Sequence, residues 1–130
     1  MSLPASDLAF LAERGIAHQV VTEANVTSVI FPGYLLPSGY DRDTADLLIR
    51  LMPGYPDVPP DMWWFDPAVR LANGGAVQAT ESVEQHHGRQ WQRWSRHFTP
   101  GQWISGVDGL ESFLALLRAE LRRCAGALAG

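Results

Sequence analysis

The chain has 130 residues, 46% apolar and 18% charged, a composition that supplies one buried core and excludes both a tandem-domain enzyme and global disorder. Fourteen acidic against ten basic side chains leave a formal charge of -4, which argues against nucleic acid as a partner because phosphate binding draws on a net basic face. All the basic residues are arginine, so Schiff-base, Walker-lysine and lysine general-base mechanisms are excluded, and no lysine side chain can accept an isopeptide bond.

The single cysteine, Cys124, can form neither an internal disulfide nor a multi-cysteine zinc site, which fits a reducing cytoplasm. The first residues lack the basic-then-apolar pattern of a signal peptide, and no apolar run approaches the ~18–20 residues that span a bilayer. A single cytoplasmic domain over residues 1–130, with no membrane partner, is therefore expected.

In chain order, Leu8 and Leu11 with Ala5, Ala9 and Ala12 predict a helix over Leu3 to Arg14, with Ser6 as N-cap and Gly15 as stop. Ile16 to Glu23, Val26 to Leu36 and Ala45 to Leu51 are rich in β-branched and aromatic residues and are separated by turn signals. They predict three antiparallel strands of a meander, and Met62 to Phe65 predicts a fourth. From Asp66 to Ser105 no period holds: Asn73-Gly74-Gly75 marks a turn, Thr80 to His87 reads as a short helix, and Trp91, Trp94 and Trp103 are scattered. A stretch of about 40 residues exceeds a plain connection and is expected to be a structured, functional loop. The last helix opens on Asp108 as cap with Glu111 three residues on. It buries Leu110, Phe113, Leu114, Leu117 and Leu121, and its arginines Arg118, Arg122 and Arg123 suit a helix C-terminus. The fold class is α+β: an N-terminal helix, a four-stranded antiparallel meander, a long structured loop and a C-terminal helix.

Four prolines crowd Pro53-Gly54-Tyr55-Pro56-Asp57-Val58-Pro59-Pro60. They remove four backbone donors and hold an extended crossing between the third and fourth strands, a structural role. The strand Leu47 to Leu51, then Tyr55-Pro56-x-x-Pro59-Pro60, the strand Met62 to Phe65, Asp66-Pro67 and Asn73-Gly74 together resemble the core of the ubiquitin-conjugating (E2/UBC) fold. The Trp-rich stretch and the helix from Gly109 are similar to that family's tryptophan-containing loop and following helix. Gly88-Arg89-Gln90-Trp91-Gln92-Arg93-Trp94-Ser95-Arg96-His97 resembles most the bacterial branch called prokaryotic E2 family E. On this resemblance Tyr55, Pro56, Pro59, Pro60, Pro67, Asn73 and Gly74 are structural motif residues. The implied partners are an E1-type activating enzyme and a ubiquitin-like protein, with no cofactor.

The chain departs from the family at its reactive centre. Asp66-Pro67-Ala68 stands where the family has His-Pro-Asn, so the asparagine amide that would steady an oxyanion is missing. Counting on from Asn73-Gly74, the family's nucleophilic cysteine falls at about Val77. Cys124 reads as structural or incidental. Thr80 and Ser82 are substitute hydroxyls with His86 and His87 as general base, giving an oxyester carrier, while both hydroxyls also suit helix capping. Two adjacent helical histidines point about 100° apart, so no metal site is expected. Trp91, Arg93, Trp94 and Arg96 are candidates for a partner-binding surface, or else the indoles pack in the core while the arginines stack on them or pair with Glu81, Glu84 or Asp108. His97 is expected to make a buried hydrogen bond. Two functions remain open: an E2-like component carrying a ubiquitin-like protein on an unusual nucleophile, and a non-catalytic pseudo-E2 that positions one. A scaffold of RWD type, needing no such partner, is the third.

Overall fold

The computed structural model describes residues 3–98 and 101–129. Helix α1 (Ala5–Glu13) is followed by strands β1 (Gln19–Glu23), β2 (Val26–Leu35), β3 (Thr44–Leu51) and β4 (Trp63–Asp66). Strands β5 (Val83–His86) and β6 (Arg89–Trp94) come next, and α2 (Leu110–Ala129) closes the chain. All pairings are antiparallel in the order β1-β2-β3-β4-β6-β5. The expected meander is β1 to β4. The long loop adds a hairpin that docks β6 on β4 and extends the sheet to six strands.

Alternation along the strands sorts side chains to two faces. One face carries Val29, Phe31, Leu47, Ile49, Phe65 and Trp94, on which α2 lays Leu110, Phe113, Leu117 and Leu121. The other holds a smaller cluster of Ile30, Leu48, Trp64 and Trp91. Removing each such side chain from water stabilises by roughly 1.5–3 kcal/mol, so the two fully buried indoles of β6 pin the hairpin firmly. Strand β2 tolerates Pro32 because its register shifts between Phe31 and Tyr34. There Gly33 turns to φ +61 and donates its amide to Asp46 Oδ1 at 2.8 Å. The proline-rich crossing is tied to the loop before α2 by Trp103 Nε1, which donates to the Pro56 carbonyl at 2.9 Å, and by the Ser105 hydroxyl, which donates to Asp57.

Four local expectations are corrected. Thr80 to His87 is not a helix; its second half is β5. Ser6 does not cap α1, whose N-cap is Pro4 with no side-chain bond. Asp108 does not cap α2: its Oδ2 accepts the Ile104 amide at 2.6 Å, and the Leu110 amide is capped by Asp7 Oδ1 at 3.0 Å. Because α2 continues to Ala129, its arginines sit mid-helix and its last turn has no basic residue. Among the described residues no helix is long and apolar enough to cross a membrane.

Candidate functional site

The loop leaving β4 is where the resemblance looks for a nucleophile, and it is held rigidly. The buried Gln92 amide clamps Val69 from both sides, accepting from its nitrogen at 2.8 Å and donating to its carbonyl at 3.0 Å. Arg70 and Asp41 exchange backbone and side-chain bonds, and Leu71 bridges to Tyr40. Asn73 Oδ1 then accepts the Gly75 amide at 2.8 Å, and Gly74 takes φ +86, so Asn73-Gly74 turns the chain inward. Val77 follows, buried, and the Thr80 hydroxyl donates back to the Val77 carbonyl at 2.7 Å.

Val77 forms one wall of a cleft of about 430 Å³ whose other wall is α2. Across it stand Arg96, Glu120, Arg123 and Cys124. The Glu120 carboxylate accepts Arg123 Nε and Nη2 and Arg96 Nε, all at 2.7 Å. These bonds, Arg123's first and then Arg96's, hold its pKa down at about 2 against its burial. The Cys124 sulfur lies 3.6 Å from Glu120 Oε2 and Arg96 Nη2, and 3.8 Å from Arg123 Nη2. Burial pushes its thiol above the ordinary value; the Arg96 contact opposes this and the Glu120 charge adds to it. A cysteine remote in sequence therefore shares the cleft of the expected nucleophile position, which no spacing rule could have found.

The sequence profile of prokaryotic E2 family E matches residues 3–124. The chain belongs to that family. No curated protein and no solved structure matches it. Membership points to an E2-like role in a conjugation pathway.

In this family E chain Tyr55 of the proline-rich crossing is buried, its hydroxyl donates to Asp7 Oδ2 at 2.7 Å, and cis peptides precede Pro56 in the crossing and Pro67 beyond β4. The remaining candidates do not converge. Thr80 and Ser82 precede β5, whereas His86 and His87 lie at its far end. Ser82 Oγ accepts Arg93 Nη2 at 3.4 Å, and His86 Nε2 sits 3.0 Å from Glu84 Oε1. His87 meets another hydroxyl altogether, with Nε2 2.9 Å from Ser28 Oγ.

The indoles of Trp91 and Trp94 are fully buried, while Arg93 and Arg96 are half-buried. Arg93 pairs with Glu84 at 2.7 Å, and Arg96 stacks 5.1 Å from the Trp94 ring centroid while pairing with Glu120. Arg89 stacks 4.4 Å from the Trp91 ring and pairs with Asp46 and Asp66. His97 departs from expectation: its side chain is 70% exposed and meets Asp61 at 3.1 Å. Among the described residues no three His, Cys, Asp or Glu side chains converge as metal ligands.

Proposed function

We propose that this chain docks, in the cytoplasm, on a ubiquitin-like protein still held as a thioester by an E1-type activating enzyme and positions it for transfer without binding it covalently at the family's usual place. The observation that carries this reading is Val77: an apolar, buried side chain cannot attack an activated carboxyl. The next hydroxyl, Thr80, donates to the Val77 carbonyl, and His86 and His87 stand at the far end of β5.

One observation favours a carrier as the second reading, namely the place of Cys124 in the same cleft. In that case Cys124 Sγ forms a new thioester with the acyl group, the E1 thioester bond breaks, and the thiol proton ends on the departing E1 sulfur. The raised thiol pKa ranks this below positioning, since the thiolate is the attacking form.

Incubation with the activating enzyme, ATP and the ubiquitin-like protein, read on gels with and without reductant and hydroxylamine, tests both. Positioning gives binding by NMR with no covalent adduct. A reductant-labile adduct lost in Cys124→Ser establishes the carrier, and a reductant-resistant, hydroxylamine-labile one returns the site to Thr80 or Ser82. Neither adduct nor binding leaves an RWD-type scaffold.

A further inference from the structure

We infer that Ser28, His87 and Glu23 form a second site, an acyl-transfer centre for small activated esters or thioesters. The site shares no residue with the Cys124 cleft and does not depend on the conjugation reading. Its parts come from three strand ends. Ser28 points from β2 to the face opposite α2, Glu23 ends β1, and His87 begins the turn from β5 to β6.

The mutual geometry is that of nucleophile, base and orienting carboxylate. His87 Nε2 lies 2.9 Å from Ser28 Oγ, and His87 Nδ1 lies 3.4 Å from Glu23 Oε2. A carboxylate facing Nδ1 favours the tautomer that carries its proton there, which leaves Nε2 free to accept from the serine. All three line a cavity of about 210 Å³ together with Ala24, Val26 and Arg50. Arg50 is held there by stacking 5.7 Å from the Trp64 ring, and its guanidinium charge favours developing negative charge.

The cavity lies between two tight two-residue hairpin turns, and each places a non-glycine residue in the left-handed region that such turns require, Ala24 at φ 51 and His87 at φ 54. These turns fix Glu23 and His87 at the rim of the cavity.

The step balances without a further reagent besides water. Ser28 Oγ attacks the acyl carbon as its proton passes to His87 Nε2. The bond to the leaving oxygen or sulfur then breaks, and that atom takes the proton from Nε2. Water next attacks the Oγ ester, giving its proton to Nε2, and the proton returns to Oγ as the free acid departs. The cavity of about 210 Å³ holds about seven water-sized groups, which suits a small acyl part.

The test uses the full chain with a fluorophosphonate probe mapped by mass spectrometry, and with p-nitrophenyl acetate and S-phenyl thioacetate as the ester and thioester arms. The expected result is a label on Ser28 and a nitrophenolate burst, both reduced at least ~100-fold in Ser28→Ala and in His87→Asn. Asparagine keeps the left-handed turn, so the second variant removes the base and preserves the fold. Glu23→Gln, which alters a positioning residue, is expected to lower kcat by about tenfold at unchanged KM. Turnover of one arm alone identifies which leaving atom the site accepts. Absence of a Ser28 label in the native chain overturns the proposal. So does turnover that survives Ser28→Ala, or variants that shift the melting temperature when the native chain hydrolyses neither compound; these mark the trio as a structural pin of the hairpin.

Discussion

The Tyr55 hydroxyl donates to Asp7 Oδ2 at 2.7 Å while the other oxygen of the same carboxylate, Oδ1, accepts the Leu110 amide at 3.0 Å. One buried side chain thus ties α1, the proline-rich crossing and the start of α2 together. Burial, the bond to Asp7 and its charge all push the Tyr55 phenol well above its ordinary pKa. A Cβ at Gly109 would stand 2.7 Å from Asp7 Oδ1, so the glycine there leaves room for the cap. Asp7→Ala strands two donors and is expected to cost about 2–3 kcal/mol, whereas Tyr55→Phe costs about 1 kcal/mol. A double-mutant cycle read by urea unfolding checks the coupling: the two losses should add to more than the double variant shows. Strict additivity would place the two bonds in separate units.

Gly39 carries a second tie to α2. Its φ is +107, and a Cβ built there would meet Ala125 Cβ at 2.7 Å. Gly39→Ala therefore combines backbone strain with a clash against a helix and is expected to cost about 2–4 kcal/mol. Repeating the substitution in an Ala125→Gly background removes the clash and leaves the strain, so the cost should fall by about half. A cost unchanged in that background would assign the whole effect to φ.

The sequence makes legible what is local. Strands β1 to β4 follow from their β-branched and aromatic content and the turn residues between them, and α2 from its leucine spacing. The β5–β6 hairpin is hidden because Val83-Glu84-Gln85-His86 is a polar edge strand, and because the turn His87-Gly88 has histidine where Asn-Gly would announce it. The α2 cap is misread for a related reason. Asp108 and Glu111 satisfy the local pattern, while Asp7 reaches Leu110 from the other end of the chain. Both candidate sites depend on such distant pairs, Val77 with Cys124 and Ser28 with His87, and residue spacing carries no information about either.

Acid should weaken the cleft through Glu120. Its folded pKa of about 2 lies below the ordinary value of 4.5, so its contribution is fully present above about pH 5 and is lost as pH falls through its folded value. Asp46 and Glu84 are also held low, each against its burial: Asp46 by the Gly33 amide and Arg89, Glu84 by His86, Trp64 and Arg93. Thermal melts between pH 6 and pH 2 should therefore show a falling limb that Glu120→Gln makes shallower without abolishing it. An identical limb in that variant would mean that Glu120 titrates alike in the folded and unfolded chains.

The same carboxylate governs the thiol beside it. In the resting cleft burial raises the Cys124 pKa, and Glu120 occupies both arginines whose charge would otherwise favour a thiolate. Iodoacetamide at pH 8 should thus alkylate the native chain more slowly than a free thiol. Glu120→Gln removes the adjacent negative charge and releases Arg96 and Arg123 toward the sulfur, which lowers the pKa. Each unit gained multiplies the thiolate fraction roughly tenfold and lowers its intrinsic nucleophilicity about threefold, so a net acceleration of about threefold per unit is expected. Arg96→Gln should act in the opposite direction, because it deletes the cation that most opposes burial. Mass-spectrometric time courses on the three chains decide the matter. Equal rates in all of them would detach Cys124 from the Glu120 network and leave burial alone to raise its thiol.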